Sequence, residues 1–193
     1  MRLREHNIIL HGSKVALRPM TEYDWDILAR WNSDTDVLWF SEGDYVQSYS
    51  LEDIQEIYRE TSQTSFCFII EVNKRPIGEC WLQKMNIHRI LTRYPDKDCR
   101  RIDLMIGEKS LWGFGYGTDT IGTLTRFGFE EEEGADMIFG IVYDYNPRSR
   151  RTFEKNGYVE DQRIKQPTGG KARWEYNMLI RREDYLMSID KLK

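Results

Sequence analysis

Apolar and polar positions change period several times along the chain, and the changes divide it into elements. Asn7 to Leu10 and Lys14 to Arg18 read as strands joined at Gly12. Pro19-Met-Thr21 opens a helix. Thr21 and Asp24 stand three apart, as in a capping box, and Trp25, Leu28, Ala29 and Trp31 keep a helical period. Thr35 to Phe40 fits neither period. Ser50 opens a second helix with Leu51, Ile54, Ile57 and Tyr58 on one face and Asp53 supporting the cap. Phe66 to Val72 and Ile77 to Met85 are apolar runs around the turn Asn73-Lys-Arg-Pro76, which predicts a hairpin. Ile87 to Asp98 is polar and reads as a loop. Arg101 to Ile106, a helical run from Thr118 to Glu130, and Met137 to Tyr143 form a strand–loop–helix–strand unit. Pro147 begins a helix ending at the C-cap signal Asn156-Gly157. Tyr158 to Lys165 and Arg173 to Ile180 make a last hairpin around Pro167-Thr-Gly-Gly170, and a terminal helix follows at about 183–192. No repeat or linker interrupts the series. One α/β domain over 1–193, with a core at about 14–182, is the expected organisation.

Between the strand at Arg101 and the helix at Thr118 lies Leu111-Trp-Gly-Phe-Gly-Tyr-Gly-Thr118, with glycines at 113, 115 and 117. Glycines at such a junction leave backbone N–H groups uncovered at a helix N-terminus, which is a seat for a pyrophosphate. A Walker loop needs Gly-Lys before Ser or Thr, and Thr118 follows Gly117 directly. A dinucleotide loop needs a third glycine where Thr118 stands. A kinase loop needs a Val-Ala-Ile-Lys strand and a His-Arg-Asp loop, and the chain has neither. A glycine-rich turn without a ligand is the remaining alternative.

Trp112-Gly-Phe-Gly115-Tyr-Gly117 resembles the acetyl-CoA loop of the GCN5-related N-acetyltransferases (GNAT), whose pattern is Arg or Gln, two residues, Gly, one residue, then Gly or Ala. Trp112 stands in the Arg/Gln place. A second stretch, Asn146-Pro-Arg-Ser149-Arg-Arg-Thr-Phe153-Glu-Lys-Asn-Gly157-Tyr158, is similar to that family's Asn, Ser, Tyr, Lys-x-Gly-Phe pattern and follows the first by about 30 residues. The resemblance runs from Val15 to about Ile180. It implies a mixed, mostly antiparallel sheet splayed at the acetyl-CoA site, with helices on both faces.

Composition narrows the partners. The chain has 193 residues, 40% hydrophobic and 31% charged, as in an ordinary globule. A net charge of −4 argues against nucleic acid and suits a cationic substrate. Cys67, Cys80 and Cys99 show no paired spacing, and His6, His11 and His88 are scattered, so neither disulfides nor a metal are expected. No 18-residue apolar run or signal-peptide core is visible, which points to a cytoplasmic protein without membrane contact, as monomer or homodimer.

Acetyl transfer to an amine needs a held cofactor, a neutral amine and a stabilised oxyanion. The resemblance assigns the pyrophosphate to backbone groups of Trp112, Gly113, Phe114, Gly115, Tyr116, Gly117 and Thr118. It assigns the pantetheine arm to Leu104, Met105 and Ile106, with Asn146 and Ser149 opposite. Asp103 interrupts an apolar run just before those residues, where a charge is locally disfavoured, and is the candidate base. Its alternative role is a solvated carboxylate, or an ion pair with Arg100 or Arg101.

Ile102-Asp103, Arg75-Pro-Ile-Gly-Glu-Cys-Trp81 and Arg30-Trp31-Asn-Ser-Asp-Thr-Asp-Val37 resemble the aminoglycoside 6'-N-acetyltransferases, in which an aspartate at this position is assigned the base role. The implied acceptor is a polycationic sugar reacting at its 6'-amine, lined by Trp39, Phe40, Asp44, Glu79, Trp81 and Asp144. Each of these is otherwise a core aromatic or a surface acid. A protein N-terminus, a polyamine, or acyl-CoA binding without catalysis are the other readings. Two departures stand out. Phe153 replaces the tyrosine that protonates the leaving thiolate in many relatives and cannot donate a proton, which leaves water, Tyr143 or Tyr145, or a thiolate that departs unprotonated. Asp144 lies two residues before Asn146, where relatives carry an Asp about five before.

Overall fold

The computed structural model describes residues 1–42, 48–131 and 134–190. Asp44, and the end of the terminal helix expected to reach 192, lie outside the described residues. The strands are β1 (Leu10–His11), β2 (Ala16–Pro19), β3 (Ser65–Val72), β4 (Arg75–Lys84), β5 (Cys99–Ile106), β6 (Met137–Tyr143), β7 (Val159–Lys165) and β8 (Trp174–Arg181). The helices are α1 (Trp25–Trp31), α2 (Thr35–Ser41), α3 (Leu51–Ser62), α4 (His88–Arg93), α5 (Tyr116–Arg126), α6 (Pro147–Glu154) and α7 (Arg182–Asp190). The strands form one sheet in the order β1-β2-β3-β4-β5-β6-β8-β7. Every neighbouring pair is antiparallel except β5 with β6.

Period-two alternation sorts the strand side chains onto two covered faces. On β3, Phe68 and Ile70 face one core, with Ile121 and Leu124 of α5 and Phe153 of α6. Cys67 and Ile69 face the other, with Leu28 and Trp31 of α1 and Ile54 and Tyr58 of α3. A third cluster joins Ile90 of α4 to Cys99, Phe139 and Leu179. Ser50 caps α3 through a capping box with Asp53, as its spacing predicts.

Several boundaries differ from the periodicity. The first strand is only Leu10–His11, and the second runs to Pro19 rather than opening a helix there. Thr21 instead leads a short 3₁₀ turn, Glu22–Asp24, into α1. Asp24 is taken up by Arg18 at 2.6 Å as well as by the Thr21 N–H. Thr35–Ser41 is a helix capped by Asp34. The segment read as a loop at 87–98 contains α4; it has one buried side chain, Ile90, and so too little apolar pattern to show a period. The helix after the glycine loop starts at Tyr116, two residues early, and widens to π pitch over Phe127–Glu131. No helix among the described residues is long and apolar enough to cross a membrane.

Candidate functional site

The site begins with a break in the sheet. β5 pairs with β4 from Arg100 to Ile106, but with β6 only at Cys99, Arg100 and Arg101. Beyond Arg101 the strands part, and the β6-facing backbone edge of Ile102–Ile106 has no partner strand among the described residues. An open edge inside a sheet can receive an extended chain bearing amides.

The glycine loop closes one end of this opening. Gly113 and Gly115 hold φ of 88° and 87°, a left-handed backbone that other residues enter at a cost. The first-turn N–H groups of α5 lack intrahelical acceptors. Nothing lies within 4 Å of a Cβ built on Gly113, so that side of the loop is open. The loop is fastened elsewhere. The Trp112 indole N–H donates to the Ile106 carbonyl at 2.7 Å, Lys14 Nζ donates to the Phe114 carbonyl, and Asp119 accepts the N–H groups of Ser13, Lys14 and Val15. A cleft of about 370 Å³ runs along the loop and is lined by Leu104, Met105, Ile106, Trp112, Gly113, Gly115, Tyr116, Gly117, Thr118, Asn146 and Ser149. Left-handed glycines, a free helix N-terminus and an open strand edge together fit a pyrophosphate followed by a pantetheine arm.

Of the expected cofactor residues, Phe114 alone does not line the cleft; the residue is 61% exposed. Asn146 lines the cleft, but its amide serves the fold. Its Oδ1 caps α6 by accepting the Ser149 N–H, and its Nδ2 donates to the Phe40 carbonyl, tying α2 to α6. Val37, Ser41, Arg148, Arg151, Thr152 and Lys155 also line the cleft and were not anticipated. Arg148, Arg151 and Lys155 follow the Asn146 cap at helical spacing, so one basic stripe was readable from the sequence.

Two further lobes meet at Asp103. One, of about 410 Å³, passes through the split between β5 and β6 and is lined by Arg101, Asp103, Leu104, Tyr143, Phe153 and Glu175 among others. The other, of about 260 Å³, is lined by Glu42, Tyr49, Tyr58, Glu79, Trp81 and Asp103, with no lysine or arginine among the described residues. Asp103 is half-buried and takes an ion pair from Arg101 Nε at 2.5 Å, one of the two arginine partners considered from the sequence. Glu79 is 3% exposed, and its Oε2 has no hydrogen-bond partner. Burial pushes the Glu79 carboxyl well above the usual range, and the Asp103 and Glu42 carboxylates add to the shift. Burial likewise raises Glu42, and Tyr49 beside it is pushed up to about 12, chiefly by burial.

Three expected acceptor residues lie elsewhere. Asp144 accepts the Arg173 N–H at 3.1 Å and lines none of the lobes, because its short side chain closes the turn at the end of β6. Trp39 is 44% exposed and stacks toward Tyr145 and Lys171, one helical step away from the opening. Phe40 lines the cofactor cleft and the split, not the acidic lobe. Phe153 is a core ring, 3% exposed and set edge-on to Tyr158. The Tyr145 hydroxyl donates to the Glu42 carbonyl at 2.5 Å, whereas Tyr143 stands in the split.

Known structures share this architecture. An acetyltransferase of the GNAT family from Bacillus anthracis superposes with a TM-score of 0.73 at 19% identity, over 91% of this chain and 99% of the other. Aminoglycoside acetyltransferase AAC(6')-Ib in complex with coenzyme A and kanamycin gives 0.71 at 22% identity over the same shares. Spermidine N-acetyltransferase from Vibrio cholerae, in complex with CoA and spermine, gives 0.72 at 20% identity over 91% and 99%. No curated protein sequence matches the chain. The sequence model of the acetyltransferase (GNAT) domain matches residues 14–159, which takes in the split strand, the glycine loop and the Asn146 helix. This chain is therefore a member of the GNAT acetyltransferase family, using acetyl-CoA.

Proposed function

We propose that the chain acetylates a primary amine of a polycationic small molecule, foremost the 6'-amine of an aminoglycoside. The observation that carries this reading is the lobe where Asp103, Glu42 and the buried, unpartnered Glu79 converge, with no lysine or arginine among its described lining residues and with Arg101 and Lys171 reaching Asp103 and Glu42 from outside it. A buried carboxyl left without a partner, as Glu79 is, costs stability unless a ligand satisfies it. Several ammonium groups on one acceptor would do so, and the faces of Trp81, Tyr49 and Tyr58 suit a sugar ring or an alkylammonium.

Bound acetyl-CoA supplies an acetyl thioester. The loop from Trp112 to Thr118 and the edge Leu104–Ile106 would hold it, with backbone N–H groups of that edge available to polarise the thioester carbonyl. Asp103 stands in both lobes, so it can face an amine entering from the acidic side and take its proton. The arriving ammonium competes with Arg101 for the same carboxylate. Of the two tyrosines considered for the departing sulfur, Tyr143 lines the split, whereas the Tyr145 hydroxyl already donates to the Glu42 carbonyl.

A linear polyamine is the second reading, favoured by the small volume of the acidic lobe. Turnover on kanamycin, tobramycin, spermidine and an N-terminal peptide separates these acceptors. Saturation by kanamycin at low micromolar concentration, weakening at high salt, is expected. Asp103→Asn should lower kcat by about two to four orders of magnitude with CoA affinity unchanged. Turnover only on spermidine or the peptide would remove the aminoglycoside, and CoA binding without turnover on any amine would leave a non-catalytic domain.

A further inference from the structure

The loop lacks a cation at the place where the family pattern has Arg or Gln. Trp112 stands there, and its indole N–H is committed to the Ile106 carbonyl. A pyrophosphate seated on backbone amides alone would forgo the strongest class of phosphate contact, a charge-assisted bond to a cation.

Arg148, on the first turn of α6, faces this gap from across the cleft. Its guanidinium lies 4.6 Å from the Phe40 ring and 4.7 Å from the Trp112 ring. Those two rings meet edge to face at 5.6 Å. Arg148 makes no ion pair with a carboxylate among the described residues. A guanidinium held against aromatic rings leaves its N–H donors uncommitted to any carboxylate, and an arginine so held is partly ordered before its ligand arrives. Arg151 and Lys155 line the same cleft without such ring contacts.

We infer that Arg148 is the cofactor's pyrophosphate-binding cation, held by Phe40 and Trp112 in place of the residue the loop has lost. Trp112 thus substitutes a platform for a charge, and the charge comes from α6. The ring of Phe40, expected in the acceptor site, acts on the cofactor through Arg148. The inference rests on family membership and is independent of the acceptor.

Calorimetry without acceptor tests it, with CoA and dephospho-CoA titrated into the wild type, Arg148→Ala and Arg148→Gln, and pantetheine binding followed by NMR. Glutamine keeps a planar amide over the rings but no charge. Both variants should lose about 10- to 100-fold in affinity for CoA and equally for dephospho-CoA, the range for one charged hydrogen-bonding partner. Pantetheine, which has no pyrophosphate, should bind all three proteins alike. The loss should shrink as salt is raised. Equal losses for all three ligands would make Arg148 a packing residue, and a loss for CoA but not dephospho-CoA would place it on the 3'-phosphate. Either outcome, or a glutamine variant that binds CoA like the wild type, overturns the inference.

Discussion

Glu79 is a carboxyl where the sheet offers it nothing to bond. It lies on β4, opposite Ile69 of β3 and Met105 of β5, with Glu42, Asp103, Tyr49 and Tyr58 around the same lobe. Its pKa is raised in the fold above the ordinary value of 4.5, first by burial and then by Asp103 and Glu42. The folded chain therefore holds a proton that the unfolded chain has released, and stability falls as pH rises above about 4.5. A single group of this kind contributes a slope of at most about 1.4 kcal/mol per pH unit. Glu79→Gln removes the titration and keeps the shape. Urea unfolding between pH 5 and 8 should show a shallower decline for this variant, and greater stability than the wild type at pH 8. Parallel profiles would mean that Glu79 is ionised in the fold.

At the scale of elements, the first turn of α5 offers a clean substitution. Gly117 has an ordinary helical backbone, and a Cβ there would stand 3.5 Å from Leu104 Cδ1 and 3.8 Å from Thr152 Cγ2, inside the cleft. An aspartate in a first turn favours the helix by about 0.3–1 kcal/mol, yet repels a bound anion. Gly117→Asp should melt no lower than the wild type and lose at least about 100-fold in CoA affinity, a penalty in the range for placing like charges together in a site. Retained affinity would exclude the loop as the phosphate seat. This loop was readable from the sequence because its chemistry lies in one contiguous stretch, as were the hairpin of β3 and β4 and strand β6, whose apolar runs are long. Helix α4 was not, having a single buried residue in six. The acidic lobe was hidden for a different reason. Glu42, Tyr49, Tyr58, Glu79 and Asp103 come from four separate segments, and only packing brings them together. Sequence spacing places Asp144 and Trp39 near a strand end and on a helix without saying which way their side chains turn, and neither lines the acidic lobe.

Across the whole molecule, ionisable groups are divided about the split in the sheet: the cations Arg148, Arg151 and Lys155 on the cofactor side, and the carboxyls of Glu42, Glu79 and Asp103 on the other. The split also makes the sheet mechanically uneven. Seven residue pairs join β4 to β5 and seven join β6 to β8, but three join β5 to β6. A seam that thin is where sub-global opening is cheapest, so the free chain is expected to breathe as two cooperative units. A ligand that lies along the seam couples them, and its binding energy is shared with strands it never touches. Amide hydrogen exchange reads this directly. Saturation with CoA should slow exchange in β7, at the far edge of the sheet, as well as in Leu104–Ile106. Protection confined to the cleft would show that the free sheet already opens as one piece. If β7 does respond, the cofactor is a stitch in the fold as much as a reagent, and the chain's resistance to unfolding and proteolysis in a cell will follow its supply of CoA.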